Sequence, residues 1–429
     1  MVDMATVKYR VFVIDSKKHK YNITDYLEDL SWEEGKGEIS MRVTFTLRND
    51  LTPKGHFIDI IQKGCLILVT AKDGSRKYTQ VARGIVVTQS PTYQSSSHNF
   101  KFTCYDELYN LQKSQDNFYF KSGTGTKARV KAVMGKWKVP LGRYEGPDKK
   151  HGKKKYQNKY LSDILLDILE DAKKKGGRRC ILRCSRGKAE IVPLGENSDI
   201  YVFLPNNTVA TDREYSIADL VTRVKVVGSS KDGSKSKAVA TVDGHTKYGI
   251  RQRIYTRGSD ESVAEAKKAA KEILDESGHV KKEATVRSPD VPYLRKGDMV
   301  YVDVGAVEGY YYIIGIMHDA GSASMTMELE PADKNNVSKN KTSASKDFKA
   351  GDIVSFEGGT HYVSSSSAKG YPAKAGKARI TQKNSSGKHP YHLIHADGKA
   401  MFTDGLTAAH SIKGVVFWKK GRESITWQR

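Results

Sequence analysis

Alternation of apolar and polar positions is the dominant signal near the start of the chain. In EISMRVTFTLRND, Ile39, Met41, Val43, Phe45 and Leu47 fall on one side. Ser40, Arg42, Thr44, Thr46 and Arg48 fall on the other. A period of two predicts a strand with one buried face, in an antiparallel sheet or barrel. CLILVTA, ARGIVVTQ and HNFKFTCYDEL predict further strands, and Phe100, Phe102 and Cys104 share the apolar face of the last. From about residue 117 the period changes. KYLSDILLDILEDAKKKGG sets Leu161, Ile164, Leu165, Ile168, Leu169 and Ala172 at helical spacing, with lysines in the last turn and Gly176 as its stop. Segments around Cys180 and Ile191 read as strands, so this region is a small α+β insertion. Strands return in VTRVKVVG, KAVATVDG and KYGIRQRIYT. One helix over 259–277 follows, with Ser259 as N-cap and an apolar face of Val263, Ala266, Ala270, Ile273 and Leu274.

Two stretches resemble each other. KGCLILVTA…ARGIVVTQSPTYQSSSHNFKFTCYD begins at Lys63, and KGDMVYVDV…YYIIGIMHDAGSASMTMELEPAD begins at Lys296. The alignment sets Phe100, Phe102 and Cys104 against Met325, Met327 and Leu329. This is common β-meander grammar, so a duplication and a chance match both stay open. A duplication would mean one barrel occurring twice, split by the insertion. KNNVSKNKTSASKD, with Val337 as its single large apolar residue, reads as a flexible linker. After it, GDIVSFEGGTHYVSSSSAKGYPAKAGKARI has a short strand, a Gly-Gly turn and a Ser loop rimmed by aromatics, the opening of a small β-barrel. The expected division is 1–116 first barrel, 117–214 α+β insertion, 215–333 second barrel with one helix, 334–346 linker, and 347–429 small barrel with a C-terminal extension.

Composition narrows the class. The chain has 429 residues and 38% hydrophobic residues, enough for real cores. No run approaches the roughly 18 apolar residues of a spanning helix. The opening MVDMATVKYR has no apolar run, so no secretory signal is expected. Cys180 and Cys184 sit four apart on one expected strand, about 13 Å, too far to bridge. With Cys65 and Cys104 they are expected to be reduced and mostly buried. The net charge of +23 favours polyanions without choosing among nucleic acid, teichoic acid and an acidic protein.

No strong catalytic motif is present: HExxH, GxSxG and a Walker loop are all missing. SGTGTK at Ser122 resembles a phosphate cradle loosely. Glu33, Glu34 and Glu38 offer paired carboxylates, but Glu33 and Glu34 point to opposite faces, and we read all three as solvated turn residues. His389, His392 and His395 do not converge on a strand, so no metal site is expected. No cofactor is implied. The sharpest charge run is DKKHGKKKYQNKY, with Lys149, Lys150, Lys153, Lys154, Lys155 and Lys159 interleaved with Tyr156 and Tyr160. It reads either as a solvated mobile loop or as a polyanion contact.

DLVTRVKVVG followed by LRKGDMVYVDVGAVEGYYYIIGIMH resembles the second barrel of phage-tail baseplate hub proteins. This is the late-control-protein-D-like family, and the resemblance is greatest to hubs of Gram-positive contractile prophages and contractile bacteriocins. It rests on Leu294, Lys296-Gly297-Asp298, Gly309, Tyr312 and His318, and on the order barrel, insertion, barrel over residues 1 to 335. The tail resembles bacterial SH3-like domains found beside wall hydrolases and on tail proteins. It departs where MFTDGLTAAHSI replaces the expected last strand.

Together these imply a mainly β fold: two tube-like β-barrels separated by a small α+β domain, plus a C-terminal SH3-like barrel. The hub resemblance implies a non-enzymatic homotrimer in a virion or bacteriocin particle, assembled in the host cytoplasm and released by lysis. Its implied partners are the tail spike, the tube initiator or tube protein, the tape measure and the baseplate wedge proteins. For the SH3-like domain, His361, Tyr362, Tyr371, Tyr391 and His392 are the candidate contacts, toward cell-wall polymer or a baseplate protein. A wall hydrolase targeted by that domain is the first alternative. A basic nucleic-acid-binding protein is the second.

Overall fold

The computed structural model describes residues 7–332, apart from 49–50, 53–54, 75–76, 95–96, 198, 229–235 and 258–260. Beyond them it describes the strand segments 353–356, 359–362, 370–373, 376–383, 391–395 and 425–427. Met4–Asp333 form one compact unit, and Lys334–Arg429 with Met1–Asp3 form a second.

The first unit is mainly β. It opens with β1 (Lys8–Ile14), β2 (Lys20–Asn22), β3 (Leu27–Glu34) and β4 (Met41–Arg48). Two very short strands, β5 (Leu51–Thr52) and β6 (Gly55–His56), lead to the short helix α1 (Phe57–Ile60). A meander of β7 (Leu66–Lys72), β8 (Thr79–Gln94) and β9 (Ser97–Tyr105) ends at α2 (Tyr109–Lys113). The middle holds β10 (Gln115–Phe120), α3 (Thr126–Lys136), β11 (Leu141–Tyr144), β12 (Lys154–Tyr160), α4 (Leu161–Lys174), β13 (Cys180–Ser185) and β14 (Lys188–Pro193). Next come β15 (Tyr201–Phe203) and β16 (Ala210–Ser216), then β17 (Arg223–Val227), β18 (Ala238–Asp243), β19 (Gln252–Thr256) and α5 (Val263–Ser277). A second meander closes the unit: β20 (Lys281–Pro289), β21 (Met299–Val304), β22 (Val307–Asp319) and β23 (Ser324–Pro331).

A 13-stranded sheet runs β16-β20-β23-β22-β3-β4-β9-β8-β7-β1-β2, with β21 beside β22 and β15 beside β21. The order β3-β4-β9-β8-β7 is repeated as β16-β20-β23-β22-β21. The registers repeat too. Val86 lies opposite Cys104 as Ile313 lies opposite Leu329, and each pair is followed by a register shift. Gln89 opposite Phe102 then matches Ile316 opposite Met327. Even the turn before each meander is shared. Gly64 N–H donates to Val86 (2.9 Å) and Gly297 N–H to Ile313 (2.8 Å), with return bonds of 2.9 Å from Val86 to Cys65 and from Ile313 to Asp298. Both glycines need a positive φ, 91° and 95°, which an L side chain resists. The duplication legible in the sequence is therefore a duplication of the fold, with Phe100, Phe102 and Cys104 at the places of Met325, Met327 and Leu329.

The two repeats are joined edge to edge. β21 flanks only the first part of β22, up to Tyr312. Beyond it, Ile316–Asp319 pair antiparallel with Glu34–Ser31 of β3. His318 lies opposite Trp32 at this seam, and their rings stack at 4.7 Å. His318 is buried, with Nδ1 2.6 Å from Asp290 and Nε2 3.1 Å from the Leu294 carbonyl oxygen.

The expected alternation holds in β4, where Met41, Val43, Phe45 and Leu47 are buried and Arg42, Thr44 and Thr46 are half-buried. Phe45 stacks on Phe102 at 4.9 Å, and Cys104 is wholly buried beside them. In the middle region, α4 buries Leu161, Ile164, Leu165, Ile168 and Leu169 against Val130, Val133 and Met134 of α3. Each such side chain contributes about 1.5–3 kcal/mol. Gly176, at φ 74°, donates to the Lys173 carbonyl and ends the helix as expected. The helix α5 lies on the sheet β18-β17-β19 through Ala266, Ala270 and Leu274. Its N-cap is Ser262. The Ser262 hydroxyl accepts from Glu265 N–H (3.2 Å), and the Glu265 carboxylate accepts from Ser262 N–H (2.8 Å). The expected cap, Ser259, lies outside the described residues.

In the second unit β22-like long strands are absent among the described residues. It holds β24 (Ile353–Phe356), β25 (Gly359–Tyr362), β26 (Gly370–Ala373), β27 (Gly376–Lys383), β28 (Tyr391–His395) and β29 (Ile425–Trp427). These pair as a sheet β28-β27-β24-β29 and a separate hairpin β25-β26. The expected linker, 334–346, lies outside the described residues.

Candidate functional site

The lysine-rich segment is tied down at its start. The turn SGTGTK opens α3, and Asp148 fills the place an anion would take there. Its Oδ1 accepts from Lys127 N–H at 3.0 Å and lies 2.5 Å from where a Cβ on Gly125 would be. Thr126 N–H donates to the Lys149 carbonyl (3.0 Å), and Lys149 N–H to the Thr126 hydroxyl (3.0 Å). His151 is buried between Thr126, whose hydroxyl is 2.7 Å away, and Asp171. Burial lowers the His151 pKa against the opposing pull of Asp171. The loose phosphate-cradle motif is thus an internal dock for residues 148–151.

Beyond that dock Lys153 leads into β12, which carries Lys154, Lys155 and Lys159 and pairs with β10 as a two-stranded ribbon. Lys150, Lys153, Lys154, Lys155 and Lys159 are exposed, and Lys149 is half-buried. Lys154 reaches Asp167 at 3.2 Å. Of the interleaved aromatics, Tyr160 is exposed. Tyr156 belongs to the core, its hydroxyl donating to Asp167 at 2.5 Å. Tyr119 of β10, opposite Lys155, is exposed as well, so the ribbon offers charge with two available rings, which suits a polyanionic surface.

Sequence reasoning missed a buried ion cluster where the two repeats meet the insertion. Glu34, expected to be solvated, is buried at the end of β3. The residue alternates as foreseen, with Glu33 outward on Arg42 (2.7 Å), but its inward face is not solvent. The Glu34 carboxylate takes a two-pronged contact from Arg295 (2.6 and 3.1 Å) and accepts from Lys296 N–H (3.2 Å). Burial works to raise its pKa. The charges of Arg295, Lys296 and Arg183, with the Arg295 hydrogen bonds, more than reverse this and hold it at about 2. Lys296 is buried and donates to the carbonyls of Gly35 (2.9 Å) and Glu38. Asp298 caps the turn through Arg295 N–H (2.9 Å) and meets Arg183 of the insertion at 3.3 Å. Nearby, burial pushes Asp106 up to about 7, although it accepts from Met41 and Leu108 N–H. A signal existed. In the first repeat, Gln62 and Cys65 stand where the second has Arg295 and Asp298, and charges added to an otherwise neutral frame call for partners.

A cavity of about 560 Å³ borders this cluster, lined among others by Arg83, Arg143, Arg183, Arg186, Asp106 and Cys184. Glu34 and Asp298 are committed to arginines, and burial raises the Cys184 thiol, which contacts Glu107 at 3.2 Å. Among the described residues no group of three or more His, Cys, Asp and Glu is arranged for a metal ion. No described helix is long and apolar enough to cross a membrane.

Of the C-terminal candidates, His361 and Tyr371 stand opposite each other across the β25-β26 hairpin, and Tyr362 lies beside them in sequence. Tyr391 and His392 lie on β28, opposite Lys383 and Gln382 of β27. The backbone thus sets these residues on two separate strand pairings. His392 and His395 lie three apart on β28, and His389 lies outside the described residues.

The chain belongs to the YQBQ-like family, whose profile matches residues 30–331. It is 26% identical to the phage-like element PBSX protein XkdQ of Bacillus subtilis over 268 residues, covering 61% of this chain and 80% of that protein. It is 24% identical to the uncharacterized protein YqbQ of the same organism over 267 residues, with the same coverage. Among solved structures, the fold is shared with the 43 kDa tail protein of prophage MuSo2 from Shewanella oneidensis. That match has a TM-score of 0.56 at 13% identity, covering 75% of this chain and 98% of that one. It is shared as well with the tail protein from Neisseria meningitidis MC58, with a TM-score of 0.55 at 13% identity, covering 75% and 96%.

Proposed function

We propose that this YQBQ-like chain is the baseplate hub of a contractile tail or bacteriocin particle, a trimeric adaptor between the central spike and the tail tube. The fold shared with prophage tail proteins supports reading it as a tail or baseplate-like structural protein. The observation that carries the finer reading is the duplication. One sheet order occurs twice in one chain, with matching register shifts and matching glycine turns. Three copies carrying two equivalent repeats each present six similar faces, which is what a threefold spike needs in order to meet a sixfold tube. The tube-like barrels expected from the sequence are, in this reading, closed or continued by neighbouring copies.

Two surfaces then face outward. The lysine ribbon meets an acidic or polyanionic partner in the particle. The C-terminal unit is a peripheral module, contacting a baseplate protein or wall polymer through His361, Tyr362, Tyr371, Tyr391 and His392. The test is a deletion of the whole chain from its prophage, followed by negative-stain imaging of induced particles. The hub reading expects tubes and sheaths that fail to join a spike-bearing baseplate. Complete, spike-bearing particles in the deletion strain would reject it. A lytic band from the purified chain on wall material would favour the hydrolase alternative instead.

A further inference from the structure

The cavity beside the ion cluster has walls of three origins. β8 of the first repeat, the β13-β14 hairpin of the insertion and the turn from Pro292 to Arg295 of the second repeat all reach it. Its lining carries Arg83, Arg143, Arg183, Arg186, Lys188 and Arg295 against two carboxyls, Asp106 and Glu190. Asp106 is already engaged by Met41 and Leu108 N–H, and with its pKa pushed up to about 7 it bears only part of a charge near neutrality. Four of the cations are held from behind. Arg83 pairs with Glu107, Arg183 with Asp298 (3.3 Å), Arg295 with Glu34 (2.6 Å) and Arg143 with Glu145 (2.9 Å). None of these four carboxylates lines the cavity. The pairs therefore fix the guanidinium groups while the wall itself stays cationic.

Two further observations point to something absent from the chain. The Nε atoms of Arg83 and Arg183 are enclosed and have no hydrogen-bond partner among the described residues. A buried N–H left in that state calls for an acceptor that the chain does not supply. At the rim, Arg186 and Lys188 are exposed, and neither side chain has an ion-pair or hydrogen-bond partner among the described residues. Arg186 sits at φ 49° beside Gly187 at φ 79°, in a two-residue turn between the paired Ser185 and Lys188. Such turns favour Asn, Asp or Gly. An arginine there bears left-handed strain, and strain kept at one position is a pointer to use of its side chain. The same turn lies against the cavity wall, since a Cβ on Gly187 would stand 2.9 Å from a terminal nitrogen of Arg83.

We propose that this cavity binds a multiply charged phosphate anion, either a free polyphosphate or the phosphate chain of a nucleotide, through Arg83, Arg183, Arg186 and Lys188. Five of the six lining cations are arginine, whose planar fork meets phosphate oxygens two at a time. The volume of about 560 Å³ lies among those of small-ligand sites, roughly 300–1,000 Å³. A bound anion would draw the first repeat, the insertion and the second repeat onto one charge, tightening the junction where they meet. The proposal does not depend on the hub reading and is tested separately from it.

The test is calorimetric titration of the full-length chain with tripolyphosphate, ATP and citrate at physiological salt, with thermal melts of each mixture. The expected result is saturable binding of one phosphate anion per chain and a raised melting temperature. Tighter ATP identifies a nucleotide and tighter tripolyphosphate a free polyphosphate, and either supports the site. Arg186→Asn with Lys188→Ala should weaken that binding at least about tenfold, the worth of a lost charge-assisted hydrogen bond. Arg186→Asn alone should melt no lower than the parent, because asparagine suits the turn, so weakened binding cannot be traced to misfolding. Serine at all six ribbon lysines, Lys149, Lys150, Lys153, Lys154, Lys155 and Lys159, should leave the affinity unchanged. Binding that survives the rim variant and is lost in the ribbon variant overturns the cavity as the site. Citrate binding as tightly as tripolyphosphate overturns the phosphate assignment. The absence of saturable binding by both phosphate probes overturns the proposal outright.

Discussion

The first and second repeats share a backbone plan but are held together by different chemistry. In the first, Phe45 stacks on Phe102 beside a buried Cys104, and the turn before the meander carries Gln62 and Cys65. In the second, Met325, Met327 and Leu329 fill the same places, and the turn carries Arg295, Lys296 and Asp298 locked onto Glu34 and Arg183. The common elements are the alternation, the strand order and a glycine at positive φ. These fix the frame. Of the two turns, only the one before the second meander carries an arginine and an aspartate, and it is the turn that meets both the other repeat and the insertion. The lesson is that the frame tolerates either filling, while the junction demands specific partners.

Breaking the junction should have the largest effect. Arg295→Met leaves the buried Glu34 carboxylate without its guanidinium partner, and should cost about 3–5 kcal/mol in a urea titration. A loss under about 1 kcal/mol would mean the ion cluster is incidental. The same carboxylate sets an acid limb. Glu34 sits at about 2 in the folded chain, below its ordinary 4.5, so its contribution is complete above 4.5 and is lost as pH falls towards 2. Asp106 acts in the opposite sense. Its pKa is raised by burial from 3.8 to about 7, so its contribution is full below 3.8 and is lost as pH rises through 7. Glu34→Gln should therefore flatten the stability profile below pH 4.5 while Asp106 keeps a slope nearer neutrality. A parallel profile would contradict the assignment.

The fillings can be compared next. Phe102→Ala removes a stacked ring from the first core and should cost about 3–5 kcal/mol, whereas Met327→Leu in the second should cost under about 1.5 kcal/mol. Equal losses would show that the second core is packed as specifically as the first. A finer contrast lies in the two turn glycines. Gly64 has open space where a Cβ would go, while at Gly297 a Cβ would stand 2.8 Å from Ile181. Both pay the positive-φ strain, about 1–2 kcal/mol, and Gly297→Ala adds a clash with the insertion. Thermal melts should rank Gly297→Ala clearly below Gly64→Ala.

The alternating strands, helix α4 and the repeat were legible because each rests on a local period. The α5 cap was misread by three residues: Ser259 and Ser262 are both plausible caps, and only Ser262 is followed at the right distance by Glu265 to complete the reciprocal bonds. Glu34 was misread because alternation tells which way a side chain points, not what waits there. Its partner Arg295 comes from the far end of the chain. The lysine ribbon was legible as charge. Its anchoring was not, because Asp148 and His151 act on a turn some twenty residues earlier.

The smallest stability effect is expected at that ribbon. Replacing Lys149, Lys150, Lys153, Lys154, Lys155 and Lys159 with serine should change folding stability by about 0.5 kcal/mol or less per exposed site. On the proposed hub reading, particle assembly or DNA passage should nevertheless suffer. Normal particles from such a variant would reduce the ribbon to a solvated surface.

The most direct measurement of the central claim is the mass of the full-length chain in solution, alone and with the spike and tube proteins of the proposed particle, by light scattering joined to negative-stain imaging. The account predicts three copies in a closed ring, at least once the partners are present. A chain that stays monomeric in every mixture, or that closes with a number of copies other than three, would contradict it.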